Sequence, residues 1–380
     1  MVAQSWVREI LSGHRRGPLA AGLRGVLSVA ESVYAWEVRR RNRWFDAGRM
    51  KSAEFEAPII SVGNLTVGGT GKTPLVLWLA RWLNERGHQV TIISRGYGRK
   101  TTAPNDEALE LAARLPGVPH VQNPNRVAAA REAIGRAFNA SAAGGLENRP
   151  THVLLLDDAF QHRRIARDLD IVLLDALEPF GYEHLLPRGL LREPVSSLAR
   201  ADVVALSRAD AVAESLRSEI RERVESLAPH ALWLELAHQP TALVACSGAR
   251  QALASWRGRR VAAFCGIGNP AGFRHTLQSC GLGLAGFREL PDHFAYSPQA
   301  VSDLETWLRS LDQIAAAICT RKDLVKLPRA TLAHVPLLAL EVDLEIIRGQ
   351  QALEDAAKAA IDRKLPPGGH PVAPDERSRG

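Results

Sequence analysis

The chain has 380 residues, of which 46% are hydrophobic and 23% are charged. These values are typical of a folded protein with two domains and exclude a largely disordered chain. The four cysteines are widely spaced and form no C-x-x-C pair, which argues against a zinc site and a disulfide framework. The net charge of +7 is concentrated at the N-terminus, because residues 1–51 carry ten Lys or Arg and four acidic residues.

The basic segment 1–51 is also amphipathic. Its apolar positions recur at helical spacing: Leu23, Val26, Leu27, Ala30, Val33, Tyr34 and Trp36. Arg24 and Glu31 leave no uncharged run of the roughly 18 to 20 residues that a membrane span needs. No cleavable signal peptide is recognisable. We predict a helix lying on an anionic membrane surface. The alternative is a helix packed on its own domain with its charges in solvent.

Further along the chain, short apolar runs alternate with helical patterns, which predicts a parallel α/β fold. Buried strands are expected at 58–62, 90–94, 152–157, 170–175 and 202–207, with helices at 74–86, 126–138 and 211–227. A second alternation predicts strands at 231–236, 260–265, 313–319 and 336–342. The predicted domains are the N-terminal segment 1–51, a first α/β domain 52–228, a smaller α/β domain 229–364 and a disordered tail 365–380.

The strongest chemical signal follows the first predicted strand. The run Gly63-Asn64-Leu65 leads into a glycine-rich loop before a helix, and the loop consists of Thr66, Val67, Gly68, Gly69, Thr70, Gly71, Lys72 and Thr73. Such a loop directs backbone N–H groups and a helix N-terminus at phosphate oxygens. Lys72 would contact the β and γ phosphates, and Thr73 would bind Mg²⁺. Thr66 replaces the first glycine of the usual pattern. The fold expected is therefore a P-loop NTPase-like parallel sheet domain.

A P-loop requires an acidic residue at the end of a neighbouring strand to hold the metal or its water. Asp157 and Asp158 end the predicted strand 152–157, and Asp157 is the better candidate for the metal. Gln161 and His162 follow directly, where ligand-binding loops of open α/β sheets lie. We expect both to contribute to the nucleotide site, although residues of these types also act as structural caps.

These motifs together resemble the tetraacyldisaccharide 4'-kinase family. The resemblance rests on the P-loop segment, on Ser94-Arg95-Gly96-Tyr97-Gly98 and on Asp157-Asp158-Ala159-Phe160-Gln161-His162. It continues through Leu186-Pro187-Arg188-Gly189, Leu191-Arg192-Glu193-Pro194, Gly266-Ile267-Gly268-Asn269-Pro270, Pro291-Asp292-His293 and the segment 320–326, and so covers about residues 58–328. It implies Mg²⁺-dependent transfer of the γ-phosphoryl group of ATP to the 4'-hydroxyl of a lipid A disaccharide precursor. It also implies work at the cytoplasmic face of the bacterial inner membrane, on an anionic surface.

The resemblance assigns further site residues. It implies Asp106, in Asn105-Asp106-Glu107-Ala108, as the catalytic base, with His293 as its partner. An Asp can accept the proton of the attacking hydroxyl, and a His can orient the carboxylate. The predicted domain bounds place Asp106 in the first domain and His293 in the second, so this pair would form across a closing cleft.

Two assignments are weaker on the residues alone. The resemblance implies that Arg126 contacts phosphate and that Glu193 helps to hold the metal, although each is equally compatible with a solvated surface charge. Arg321 departs from the family's Thr-Glu-Lys-Asp.

The main alternative function is a membrane-associated P-loop GTPase or regulatory ATPase. Thr320-Arg321-Lys322-Asp323 superficially resembles a guanine-reading Asn-Lys-x-Asp, but its lysine lies one position late. Nucleic-acid binding is not expected, because the aromatic residues of the basic segment lie on its apolar stripe. No obligate protein partner is predicted.

Overall fold

The computed structural model describes residues 9–68, 70–96, 106–141, 150–291 and 294–365. Their contacts divide the chain into two compact units. The first unit holds the described residues within 1–97, 115–237 and 346–380, and the second holds those within 98–114 and 238–345.

The first unit is a parallel sheet covered by helices. Its elements are α1 (Pro18–Asp46), β1 (Ile59–Asn64), α2 (Lys72–Glu85), β2 (Gln89–Ser94), β3 (His120–Gln122), α4 (Arg126–Ser141), β4 (His152–Asp157), β5 (Leu169–Asp175), β6 (Val203–Ser207), α5 (Glu214–Leu227), the start of β7 (Leu232–Val244) and α9 (Gln350–Asp362). The strand order is β7-β6-β5-β1-β4-β2-β3, and every neighbouring pair is parallel. Strands β1, β4, β5 and β6 are buried almost throughout, which explains their nearly continuous apolar sequences.

The second unit is a smaller α/β sheet. It contains α3 (Asp106–Arg114), the end of β7, β8 (Arg250–Ala252), β9 (Arg260–Cys265), α6 (Pro270–Ser279), β10 (Gly283–Glu289), α7 (Pro298–Arg309), β11 (Ala317–Thr320), α8 (Arg321–Leu324), β12 (Thr331–Leu332) and most of β13 (Val335–Arg348). Strands β10, β9, β11 and β13 are parallel neighbours in that order, while β8 and β12 add antiparallel pairs at β7 and β13. Apolar clusters cover both faces.

The predicted α/β fold is confirmed, and most element bounds differ from the prediction by a few residues. The largest shift of a strand start concerns β11, predicted from Gln313 but beginning at Ala317, because Gln313 has a φ of 49° and lies in a turn. Strand β7 continues beyond its predicted end, and its last residues pair with β8.

The compact units also differ from the predicted domains in two helices. Helix α9 belongs to the first unit, because Leu353, Ala357, Ala360 and Ile361 are buried and the helix packs on β1 and β5. Helix α3 belongs to the second unit, where Arg114 is hydrogen-bonded to the Val342 carbonyl and the Asp343 carboxylate. Asp106, at the start of α3, therefore does not lie in the first unit.

Helix α1 packs on the first unit with one face only. Its inner face buries Ala35 and Val38, and the Tyr34 hydroxyl donates to the Arg192 carbonyl at 3.0 Å. Its outer face carries five large apolar side chains that are 61 to 78% exposed: Leu19, Val26, Val29, Val33 and Trp36. No helix in the described ranges has the length and apolar character needed to cross a membrane.

Candidate active site

The phosphate-binding loop joins β1 to α2 in the first unit. Gly71 has a φ of 82°, which favours glycine, and α2 begins directly after it at Lys72. A side chain at Gly63 would place its Cβ 2.6 Å from the Cβ of Phe160, so only glycine lets β1 pass this close to the turn after β4. The loop itself therefore lies at the carboxyl ends of the central strands, where α/β sheets bind ligands.

The start of the loop is held by a neighbouring chain segment. The Val67 amide donates to the Leu190 carbonyl at 2.8 Å, and the Arg192 amide donates to the Leu65 carbonyl at 2.7 Å. Thr66, which is 4% exposed, lies between these bonds and forms an antiparallel bridge with Leu191. Thr66 is thus a packed anchor of the loop, which accounts for a threonine at the usual glycine position.

The charges beside the loop centre on Asp158. Its carboxylate lies 3.4 Å from the Lys72 ammonium and accepts two 2.9 Å hydrogen bonds from the Arg192 guanidinium. Burial alone would raise the pKa of Asp158, but Lys72 and Arg192 outweigh it and hold that pKa below its ordinary value. Asp158 is therefore ionised at neutral pH and positions both cations.

Asp157 and Thr73 are the two oxygen donors predicted to bind Mg²⁺. Asp157 ends β4, is paired in register with Val62 of β1 and is 4% exposed. Thr73 is the second residue of α2. A hydroxyl and a carboxylate are hard oxygen donors, and Mg²⁺ commonly takes one or two protein ligands together with phosphates and water. These residues therefore fit Mg²⁺, although no larger cluster of metal-binding side chains occurs in the part of the chain that the structure describes.

Arg126 is buried beside the candidate site, and its predicted contact with phosphate stays a prediction. It is 4% exposed, and its guanidinium donates to the carbonyls of Asp157 at 2.9 Å and Asp158 at 2.8 Å. Asp158 has a φ of 52°, in the left-handed region that few non-glycine residues adopt. The hydrogen bonds from Arg126 therefore stabilise an unfavourable backbone conformation. In this structure Arg126 holds the backbone of the site; it is not a solvated charge.

Gln161 and His162 have different surroundings. The Gln161 amide donates to the Asn64 carbonyl at 2.7 Å and so ties the turn after β4 to the end of β1. Burial, followed by the nearby Arg126 and Arg167, lowers the pKa of His162 to about 4. Its buried Nε2 has no hydrogen-bond partner among the described residues. A neutral imidazole whose buried nitrogen lacks a partner among the described residues is suited to form a hydrogen bond with a bound ligand.

Glu193 is fully buried, contrary to a surface charge. Its carboxylate accepts hydrogen bonds from Arg41 at 2.5 Å, Arg200 at 2.6 Å and the Asn42 amide at 3.2 Å. Both carboxylate oxygens are thus bound by side chains of this chain, so we leave Glu193 out of the metal site proposed below. Its predicted metal role stays a prediction.

Three of the predicted residues fall wholly or partly outside the described structure. Gly69 and His293 lie outside the described residues, and Asp106 is described only as the first residue of α3. The nearest described residues on either side of His293 are Pro291 and Phe294. Both belong to the second unit, as α3 does. The expectation that the pair spans two domains stays a prediction, because His293 lies outside the described residues.

Sequence reasoning missed the role of Arg192. The residue stands in Leu191-Arg192-Glu193-Pro194, which carried part of the family resemblance, but nothing in that motif indicates contact with Asp158. The Arg192 amide itself bonds to the loop at Leu65, and the resulting position of its side chain beside Asp158 is visible only in three dimensions.

Comparison with known proteins identifies the family. The family model described as tetraacyldisaccharide-1-P 4'-kinase matches residues 23–362. The chain belongs to this family. A tetraacyldisaccharide 4'-kinase of Anaeromyxobacter sp. (strain K) is 40% identical over 97% of this chain and 98% of that protein. One from Syntrophus aciditrophicus is 34% identical over 84% of this chain and 89% of that protein. The crystal structure of the "apo" form of LpxK from Aquifex aeolicus in complex with ATP is similar, with a TM-score of 0.68 and 27% identity, covering 89% of this chain and 99% of that chain.

Proposed function

We propose that the protein is an ATP-dependent kinase that transfers the γ-phosphoryl group of ATP to the 4'-hydroxyl of a tetraacyldisaccharide 1-phosphate, a lipid A precursor. The observation that carries this proposal is the arrangement of the P-loop, Lys72, Asp158 and Arg192 at the end of β1, in a chain that belongs to the family. Phosphoryl transfer depends chiefly on positioning and charge neutralisation, and this site supplies both.

Within this proposal, each described residue has a distinct role. The loop amides cradle the phosphates, Lys72 neutralises the β and γ phosphates, and Asp158 and Arg192 keep Lys72 in place. Thr73 and Asp157 would hold Mg²⁺, which supplies positive charge at the phosphate oxygens when bound. Arg126 and Gln161 maintain the backbone that presents these groups.

The proposed catalytic pair remains Asp106 and His293. Helix α3, which begins at Asp106, packs against α8 in the second unit. Near α8, the Lys326 ammonium donates to the Phe294 carbonyl at 3.3 Å, which holds the residue after His293. Helix α3 and Phe294 thus both lie near α8, which supports a shared role for the proposed pair in accepting the proton of the attacking hydroxyl.

A GTPase is not favoured, because Asp323 cannot read a guanine base. Its fully buried carboxylate accepts hydrogen bonds from the Tyr296 hydroxyl at 2.7 Å, the Thr320 hydroxyl at 2.6 Å and the Gly266 amide at 3.1 Å. The carboxylate is therefore an internal anchor of the second unit. Preferential binding of GTP over ATP would restore this alternative.

We further propose that α1 attaches the enzyme to the anionic cytoplasmic face of the inner membrane as a peripheral helix. Its five outer apolar residues are 61 to 78% exposed and recur at spacings of seven, three, four and three residues, which places them on one helical face. The Arg40 guanidinium lies 4.8 Å from the ring centroid of Trp36 and 4.7 Å from that of Trp44. An apolar stripe with tryptophan and arginine beside it suits the headgroup region of a bilayer.

Point substitutions test this attachment better than truncation does, because removal of α1 would also uncover the apolar surface of the first unit on which its inner face packs. We expect Val29→Ser with Val33→Ser to reduce binding to vesicles that contain anionic lipid, and wild-type binding to weaken with salt. Ser32→Ala is the control, because among the described residues its hydroxyl bonds to the Ser28 carbonyl of the same helix and to nothing else. Full vesicle binding by the folded double variant would show that the stripe is not the anchor.

The kinase proposal is tested by incubating the protein with γ-labelled ATP, Mg²⁺ and the disaccharide lipid acceptor, followed by extraction of the lipid phase. We expect label in the lipid, in proportion to the enzyme added. Label confined to free phosphate would instead indicate a regulatory ATPase.

A further inference from the structure

Helix α1 is bonded to the segment that carries the phosphate-binding loop. The Tyr34 hydroxyl donates to the Arg192 carbonyl at 3.0 Å, and Arg41 and Asn42 donate to the Glu193 carboxylate at 2.5 and 3.2 Å. Three side chains from the second half of one helix therefore bond to two consecutive residues. All of them belong to the first unit.

The same two residues connect onward to the loop and to its lysine. The Arg192 amide donates to the Leu65 carbonyl at 2.7 Å, immediately before Thr66. The Arg192 guanidinium binds both oxygens of Asp158, and one of these oxygens lies 3.4 Å from Lys72. Arg192 thus contacts α1 through its carbonyl, the loop through its amide and the lysine's partner through its side chain.

We propose that Tyr34 and Arg41 of α1 are positioning residues of the nucleotide site and act through Arg192 and Glu193. ATP affinity then depends on the seating of α1 even when no membrane is present. This inference rests on the proposed function, because it takes the P-loop to be the ATP site. It assigns to the inner face of α1 a role separate from the membrane attachment proposed for the outer face.

The physical reason lies in how Asp158 is shared. While Arg192 is hydrogen-bonded to both oxygens of Asp158, the Asp158 carboxylate has a cationic partner besides Lys72. Lys72 can therefore turn to a phosphate at a small cost in free energy. If Tyr34 loses its hydroxyl, the part-buried Arg192 carbonyl loses this hydrogen bond. The hydrogen bonds of Arg192 to Asp158 and to the Leu65 carbonyl are then weakened. Lys72 is then held more strongly by Asp158 and competes less well for the phosphates.

The test compares two hydroxyl deletions two residues apart. Tyr34→Phe removes the hydroxyl that reaches Arg192, whereas Ser32→Ala removes one that, among the described residues, bonds only to the Ser28 carbonyl. A fluorescent ATP analogue with Mg²⁺ is titrated into the full-length protein in detergent micelles without lipid acceptor. We expect Tyr34→Phe to weaken binding by roughly three- to tenfold, the effect of losing one hydrogen bond to a part-buried group. We expect Ser32→Ala to bind as the wild type does.

Two further readouts separate positioning from general destabilisation. In Tyr34→Phe the melting temperature should fall by no more than a few degrees and the KM for the lipid acceptor should stay at the wild-type value, while the KM for ATP rises. Wild-type affinity in Tyr34→Phe, or equal losses in Tyr34→Phe and Ser32→Ala, would overturn the inference. If Tyr34→Phe does not fold, Arg41→Gln carries the same test with the same outcomes, because Arg41 is 35% exposed and Arg200 still pairs with Glu193.

The two proposals fail in different ways. Absence of label in the lipid with the wild-type protein would reject the kinase proposal. The titration needs no acceptor, so a Tyr34→Phe variant that binds the analogue normally rejects only the role of α1.

Discussion

Lys72→Ala should abolish most phosphoryl transfer while leaving the fold intact. The Lys72 side chain is 15% exposed and its ammonium lies 3.4 Å from Asp158, a pairing that Arg192 duplicates with two bonds of 2.9 Å. Because Asp158 keeps Arg192, no buried charge is orphaned, and the free energy of unfolding should fall by only about 1 kcal/mol or less. In the transition state, loss of one preorganised cationic donor costs about 3 to 4 kcal/mol, or roughly a hundredfold to a thousandfold in kcat.

The assay is lipid phosphorylation at saturating ATP and Mg²⁺, with thermal unfolding of the same samples. Lys358→Ala is a suitable control, because Lys358 is 48% exposed on α9 and its ion pair is with Asp355, at 3.8 Å, one turn away on the same helix. Wild-type turnover in Lys72→Ala, or an equal loss in Lys358→Ala, would show that Lys72 does not act on the phosphates.

Three other predictions concern stability, pH and the catalytic pair. Gly63→Ala should destabilise the protein by about 1 to 3 kcal/mol in denaturant unfolding, because the new methyl would lie 2.7 Å from the backbone nitrogen of Phe160; unchanged stability would contradict this close packing. Burial lowers the pKa of His120 to about 4, so the unfolded chain binds a proton that the folded chain does not. The unfolding free energy should therefore decrease by on the order of 2 kcal/mol as the pH is lowered from 6.5 to 4. If the dependence of unfolding free energy on pH is unchanged in His120→Gln, His120 is not the source of this decrease. Asp106→Ala and His293→Ala should each lower kcat strongly, with the double variant little worse than Asp106→Ala, whereas additive losses would mean independent roles.

The nucleotide site was largely predictable, because most of the residues that form it follow one another in a single stretch of the chain. One strand, a glycine-rich turn and a helix N-terminus place Lys72 and Thr73 by local geometry alone. Asp157 was predictable for a related reason: a buried apolar run that ends in an acid places that acid at the carboxyl edge of a parallel sheet.

Arg126 and Glu193 were not predictable in the same way, because their surroundings depend on distant parts of the chain. Glu193 is buried against Arg41, 152 residues earlier in the sequence. Arg126 is buried against carbonyls 31 and 32 residues later. A charged residue beside a proline or at a helix start gives no local sign of such partners, and burial of a charge is possible only once they are assembled.

The sequence also did not predict to which compact unit α3 belongs. Chain order places α3 between two strands of the first unit, which suggested that Asp106 belonged there. The long-range bonds of Arg114 to Val342 and Asp343 decide otherwise. Such contacts join segments more than two hundred residues apart, and no periodicity in either segment encodes them.

The most direct measurement of the central claim is the structure of the lipid product. Wild-type protein, ATP, Mg²⁺ and the tetraacyldisaccharide 1-phosphate should yield a lipid heavier by one phosphoryl group, with the new phosphate located at the 4' position by phosphorus NMR. The Lys72→Ala protein should yield almost none in the same time. An unmodified lipid recovered beside ADP and free phosphate, or a phosphate at another position, would contradict the assignment of this site as a lipid 4'-kinase.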